Sequence, residues 1–219
     1  MKEVKTEPII ISYLHLRKMI GILGISLPIS VIIGALLYGN INGTLGSISE
    51  YYYSNMREIF VGTLWAMSAF LLSYQGYDRQ DVIICRICGL SALGVSLFPT
   101  SLETSTLPEC LSLTNTPELS NMIHLSCAGV LFLSFSYMSL FLFCKTNKET
   151  MTPQKIKRNI IYRITGIIII VCIVLIFLYE IFFFNSSFKK AHPVLIMEII
   201  MLWAFGLSWL TKGKAIIKD

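Results

Sequence analysis

Apolar residues run through this chain in long, nearly uninterrupted blocks, roughly at 19–39, 58–77, 82–100, 120–144, 160–184 and 193–211. A helix needs about 20 consecutive apolar residues to cross the hydrocarbon core of a bilayer, and each block is of that order. The blocks are continuous rather than alternating, which argues against the strands of a membrane barrel. The pattern predicts an all-α integral membrane bundle of six transmembrane helices, a single domain over residues 1–219. The longest connectors, about 40–57 and 101–119, leave no room for a separate soluble domain.

Composition agrees with the pattern. Of 219 residues, 54% are hydrophobic and 14% charged, with a mean hydropathy of +0.68. A soluble domain carries about a quarter charged residues. The deficit excludes a disordered chain and argues against an ordinary cytosolic enzyme. The first block follows Lys2, Lys5, Arg17 and Lys18, as a signal peptide would. It exceeds the usual apolar region of such a peptide, and Leu36–Asn40 is no small-residue cleavage site, so it reads as a retained helix.

Charge adds an orientation. With both termini cytoplasmic, the inner side collects Lys2, Lys5, Arg17, Lys18, Arg79, Arg86, Lys145, Lys148, Lys155, Lys157, Arg158, Arg163, Lys212, Lys214 and Lys218. The outer side keeps only Arg57, Lys189 and Lys190, as the positive-inside rule requires. The outer loop 101–119 carries Glu103, Glu109 and Glu118 and no basic residue. The net charge of +5 therefore needs no nucleic acid to explain it. The Lys145–Arg158 stretch would favour anionic headgroups by about 1 kcal/mol per basic residue. The expected setting is a multipass protein of the cell (inner) membrane, if the host is bacterial. Its expected partners are membrane lipids, with self-association left open.

Chemistry-bearing residues are few. Cys85, Cys88, Cys127, Cys144 and Cys172 lie in the spans, and Cys110 in an outer loop. Cys85-Arg86-Ile87-Cys88 has the spacing of redox and metal sites, but on an apolar helix it reads as packing. The sequons Asn42-Gly43-Thr44 and Asn185-Ser186-Ser187 both fall on the expected outer side. Gly62, Ala66, Ala69 and Ser73 form a small-residue stripe on the second helix, and Cys88, Ala92, Ser96 and Thr100 one on the third. Small residues let membrane helices approach closely, so the two stripes predict a tight antiparallel hairpin around Asp78–Asp81. Pro28 and Pro99 each mark a kink or an end.

An ionisable side chain inside a membrane costs about 2.5–3.5 kcal/mol near the centre on insertion scales. Glu58, His124, Glu180 and Glu198 qualify, with Arg57 and His192 at the boundary, and all fall at outer helix ends. Glu58 is in phase with Gly62 and Ala66, which predicts that it faces the packed side; His124 shares a face with Asn121 and Cys127. Tyr52, Tyr53, Asn55, Arg57, Glu58, Asn121, His124 and Glu198 are thus candidates to line an outer-leaflet polar pocket. Such a pocket suits acid–base work by His124 with Glu58 or Glu198. It equally suits a headgroup, with Arg57 on phosphate and the tyrosines around an amine-like cation. Each residue also has a plain reading. Tyr51–Tyr53 can be an interfacial belt, Arg57 and Glu58 a helix-start pair, Glu180 and Glu198 shallow and wet, His124 bonded to a carbonyl, and His192 exposed in a loop. Zinc catalysis wants three protein ligands, and neither an H-E-x-x-H motif nor a His pair at i, i+4 is present, so no metal is assigned. Nucleotide-binding glycine motifs and a G-x-S-x-G elbow are also missing, and no cofactor is expected.

Several pieces occur in order: Gly46-Ser47-Ile48-Ser49-Glu50, Leu97-Phe98-Pro99-Thr100-Ser101, His124 with Ala128 and Phe132, and Glu198. In this the chain resembles a bacterial six-helix membrane family, domain of unknown function nine-nine-eight, which is similar in pattern to the Frag/DRAM/Sfk membrane proteins. The resemblance spans about residues 20–210, and departs from the pattern in the long insert between Ser101 and Asn121. It implies six helices and an emphasis on the loop carboxylate, the Phe-Pro turn, His124 and Glu198. The Frag/DRAM/Sfk proteins are associated with lipid organisation, which tilts the expectation toward lipid interaction. The first expectation is a non-enzymatic protein with its pocket between helices 2, 4 and 6. Alternatives are an intramembrane lipid hydrolase or transferase built on His124, and a small proton-coupled transporter using Glu198 and Glu180.

Overall fold

A computed structural model describes residues 6–39, 43–102, 118–146, 150–182 and 191–218, with the side chains of 6–12 outside that description. Glu103, Glu109, Cys110, the sequon asparagines Asn42 and Asn185, and Lys2, Lys5, Lys148, Lys189 and Lys190 also lie outside the described residues. The described residues contain six α-helices and no strand. They are α1 (Thr6–Tyr38), α2 (Arg57–Leu72), α3 (Arg79–Leu97), α4 (Glu118–Tyr137), α5 (Pro153–Phe182) and α6 (Pro193–Lys212). A 3₁₀ turn at Ser49–Tyr53 precedes α2, and a π-helical turn at Met138–Leu142 extends α4. All-helical structure is what hydrocarbon demands, because a helix satisfies its own backbone hydrogen bonds.

Five segments are long and apolar enough to cross a membrane, as an integral multipass protein requires: Tyr13–Tyr38, Arg79–Leu97, Glu118–Leu142, Pro153–Phe182 and Pro193–Lys212. The exception is α2. Its 16 residues span about 24 Å, short of a typical 30 Å core. It ends at Leu72 rather than at the expected 77. The cause is local. Tyr74 turns inward against Trp209, with ring centroids 5.1 Å apart. The Tyr77 N–H donates to Asp81 Oδ2 at 2.8 Å, and Asp78 caps α3 by accepting from the Asp81 N–H. Conversely α1 starts at Thr6, well before the apolar block at 19, with Pro8 in its first turn, where the missing N–H costs no helix bond; hydropathy marks only the membrane-depth part. Pro28 sits inside α1 without ending it, whereas Pro99 directly follows the end of α3.

Each helix packs on its neighbours in the chain, and α6 closes the ring against α1. One end, called upper below, holds 43–56, the turn after α3 and the starts of α4 and α6. The lower end holds the α2–α3 turn, the end of α4, the start of α5 and the end of α6. The α1–α6 contact is a glycine crossing. A Cβ on Gly21 would lie 2.8 Å from the Gly206 carbonyl oxygen, and one on Gly206 would lie 2.7 Å from that of Gly21. Inside the ring Phe135 stacks on Phe205 with centroids 3.6 Å apart. A hydroxyl cluster ties α4, α5 and α6: Ser139 Oγ and Ser208 Oγ are 2.8 Å apart, and Thr165 Oγ1 donates to Ser208 Oγ at 3.3 Å. Buried hydroxyls paired across helices suit an environment with no water to replace them.

The α2–α3 hairpin forms, but not through the expected stripe of α2. Gly62, Ala69 and Ser73 face outward and a Cβ on Gly62 would meet open space. The inner face of α2 is Phe60, Leu64, Met67, Ser68 and Leu71, and Ser68 Oγ donates to the Gly89 carbonyl at 2.7 Å. The α3 stripe Cys88, Ala92, Ser96 and Thr100 is buried as expected. Cys85 and Cys88 are buried free thiols, the former 3.6 Å from Met138 Sδ.

The lower end is pinned by Lys145, whose Nζ lies 2.8 Å from Asp78 Oδ2 and 2.9 Å from Asp81 Oδ1. The hydrogen bond from Lys145, aided by the Asp81 N–H, holds the exposed Asp78 carboxyl below its ordinary value. Burial pulls the Lys145 ammonium down, but its bonds to both aspartates outweigh that and leave it raised.

Candidate functional site

Five predicted site residues, Tyr53, Asn55, Asn121, His124 and Glu198, bond to backbone at the upper end. Where α3 stops, its last carbonyls lose their intrahelical partners. Side chains from elsewhere replace these. His124 Nδ1 is 2.7 Å from the Phe98 carbonyl oxygen, Ser120 Oγ donates to Pro99 at 2.9 Å, and Tyr53 Oη donates to Thr100 at 2.7 Å. Asn121 Oδ1 accepts from Thr100 Oγ1 at 3.1 Å and from the Ser101 N–H at 2.9 Å. Ser120, Asn121 and His124 share one face in the first turns of α4, so that helix start grips the whole Phe98–Ser101 turn. Since a carbonyl only accepts, His124 carries its proton on Nδ1 in this arrangement. Its ring is 2% exposed.

Glu198 does a parallel job one turn into α6. Its Oε2 accepts the Ile48 N–H, 150 residues away in sequence. Beside it the Leu195 N–H donates to the Gly46 carbonyl at 3.0 Å. Gly46 N–H donates in turn to Glu50 Oε2 at 3.0 Å, and Glu50 N–H to Ser47 Oγ at 3.2 Å. Segment 45–51, expected to be a plain connector, is therefore folded into the bundle, with Leu45, Ile48, Ser49, Glu50 and Tyr51 all buried. Irregular backbone at such a place is tolerated because protein groups satisfy it. Tyr51 is 1% exposed, so its ring is a core group rather than an interfacial belt residue.

The remaining candidates face outward. Arg57 is exposed, its Nη2 donating to Tyr52 Oη at 2.6 Å and its Cζ standing 4.3 Å from the Tyr52 ring centroid. Asn55, also exposed, donates to the Tyr38 carbonyl at 3.0 Å. Glu58 is exposed too, contrary to the packed face expected for it. Its phase with Gly62 was read correctly, but that face of α2 is the outer one. Arg57 stacks on Tyr52 rather than pairing with Glu58. Glu180 lies on an exposed face of α5, and His192 is half-buried at the start of α6 with a positive φ of 47°.

The structure thus does not assemble one pocket between α2, α4 and α6. The ring order keeps α2 between α1 and α3. Segment 45–54 occupies the upper end instead and links the two groups, through Ile48 to Glu198 and through Tyr53 to the Phe98–Ser101 turn. Sequence reasoning did not place Glu50 or Ser120 in the site. For Glu50 the signal was the Gly46–Glu50 motif; for Ser120 it was the spacing of four from His124. Among the described residues no three His, Cys, Asp or Glu side chains come together as a metal set. No family model, curated protein or solved structure matches the chain.

Proposed function

We propose that this chain is a non-enzymatic membrane protein of six spans with cytoplasmic termini, in the cell membrane, that binds an amphiphile headgroup at its outer, upper end. Connectivity supports the sixth span. Arg17 of α1 lies 5.7 Å from the Tyr74 ring after α2, and Asn55 before α2 reaches Tyr38 at the end of α1. α2 therefore returns the chain from the upper to the lower end, where α3 begins. Placing the chain with the six-helix family stays part of this proposal; of the residues that carry the likeness, Gly46–Glu50, Phe98–Ser101, His124 and Glu198 take part in the upper-end hydrogen bonds.

The observation that carries the headgroup reading is Arg57. It is exposed yet pre-positioned by the Tyr52 ring and hydroxyl, so its other donors meet a phosphate without much further ordering. His124, by contrast, is 2% exposed, so the intramembrane-hydrolase reading has no accessible base there. Lipid released from purified protein should fall several-fold in Arg57→Gln at unchanged thermal stability; an unchanged lipid complement overturns the reading. The transporter reading keeps one observation, the Glu198 latch on Ile48, which protonation would weaken. It requires a proton-linked flux in liposomes that Glu198→Gln abolishes.

A further inference from the structure

At the lower end three cations from three helices converge on one chain of aromatic rings. Tyr13 and Tyr74 lie with centroids 5.4 Å apart, Tyr74 and Trp209 5.1 Å, Trp209 and Phe143 5.0 Å, and Phe143 and Tyr162 5.5 Å. Arg17 Cζ of α1 stands 5.1 Å from the Tyr13 centroid and 5.7 Å from that of Tyr74. Lys212 Nζ of α6 stands 4.7 Å from Tyr77 and 5.2 Å from Phe143. Lys155 Nζ of α5 stands 5.6 Å from Tyr162 and donates to the Phe143 carbonyl at 2.7 Å. Basic residues that only mark the inner side of a membrane protein extend toward water and headgroups. Lys212 does the opposite: it is 7% exposed and its contacts are ring faces.

Ring faces compensate only part of what a buried cation loses in hydration. Carboxylates supply only part of the rest: Asp81 acts on Lys212, but Lys145 already bridges both Asp78 and Asp81. Two polar atoms within the cluster are also buried and without a partner, Arg17 Nε and the indole Nε1 of the wholly buried Trp209. The charges act on one another across the cluster, with Arg17 and Lys155 repelling Lys212 and Asp81 attracting it. A group with two or more negative charges and several acceptor oxygens would resolve the repulsion and use the idle donors together. Arg supplies a planar fork and Lys a point charge, the pair of donors that suits a phosphoryl group.

We propose that the lower end of the bundle is a binding site for a phosphoryl group, held by Arg17, Lys155 and Lys212 around the Tyr74–Trp209–Phe143 rings. The phosphoryl group belongs to free phosphate or to a lipid phosphomonoester. This site is independent of the upper-end reading, because it shares no residue with Arg57 or Tyr52.

The test uses full-length protein purified in a zwitterionic detergent. One arm titrates inorganic phosphate calorimetrically; the other presents phosphatidylcholine nanodiscs with and without phosphatidic acid. Binding of inorganic phosphate identifies the free anion, and binding confined to phosphatidic acid identifies the lipid; either supports the site. Arg17→Gln and Lys212→Gln should each weaken binding about tenfold, the loss of one charged hydrogen bond, while Lys212→Arg and Arg57→Gln retain it. Lys155→Gln, at a half-buried position, gives the same readout if Lys212→Gln fails to fold. Wild-type protein that binds neither probe, or folded variants that bind as wild type does, overturns the proposal.

Discussion

The crossing of α1 and α6 allows a quantitative prediction. In Gly21→Ala the new Cβ would lie 2.8 Å from the Gly206 carbonyl oxygen and 2.9 Å from the Leu210 nitrogen, where ordinary contact begins at 3.4 Å. Both obstacles are backbone atoms, so no rotamer change relieves them. The helices must separate by about 0.6 Å, a gap that forfeits a quarter to a half of the dispersion energy of the contacts it opens. Overpacking of this kind costs about 1–3 kcal/mol. For a chain of 219 residues that corresponds to a thermal midpoint lower by roughly 2–12 °C. The assay is thermal unfolding in detergent followed by tryptophan fluorescence, with Gly62→Ala as its partner, because a Cβ there meets open space. Gly62→Ala should stay within about 0.5 kcal/mol of wild type. A Gly21→Ala protein as stable as wild type, or a Gly62→Ala protein equally damaged, would refute the helix pairing described above.

Glu198→Ala leaves the Ile48 N–H without its acceptor, at a cost of about 1–3 kcal/mol, so amide hydrogen exchange over 45–51 should speed about 5- to 150-fold. Unchanged exchange there would mean that Glu198 does not hold the segment. The Lys145 hub predicts a pH profile with two shoulders. The lowered Asp78 contributes stability above the ordinary carboxyl value of 3.8 that is lost as pH falls through its folded value. The raised Lys145 contributes stability below 10.5 that is lost as pH rises through its folded value. Lys145→Met should remove the alkaline contribution and shrink the acid one, leaving the part due to the Asp81 N–H, and an unaltered profile would contradict the hub. For topology, reporters fused after residue 110 and at the C-terminus should report opposite sides; same-side reports contradict six spans.

What could be read from the sequence follows from what each signal measures. Hydropathy reports bilayer depth, so all six blocks correspond to helices, but it could not show that α1 starts at Thr6 or that α2 stops at Leu72. The small-residue rule identifies faces suited to close approach without naming the partner. It held for Cys88, Ala92 and Ser96 and failed for Gly62, because α2 meets its neighbours through Phe60, Leu64 and Met67. In the site, helical phase correctly put Asn121 and His124 together. The folding of 45–51 into the bundle was not legible, because nothing in its two serines, glutamate and tyrosine separates it from any other connector. Its burial depends on Glu198, 150 positions beyond Ile48, and no local pattern encodes that bond. The predicted pocket residues do share the upper end, where segment 45–54 bonds to Glu198 on one side and to Thr100 on the other.

Headgroup binding by the outer face, rather than chemistry at His124, is decided by lipid mass spectrometry on purified wild type, Arg57→Gln and His124→Ala. Wild type should carry a phosphate-bearing lipid, Arg57→Gln should lose most of it, and folded His124→Ala should retain it with no change in lipid species. Loss of a reaction product in His124→Ala, with the lipid of Arg57→Gln unchanged, would contradict it.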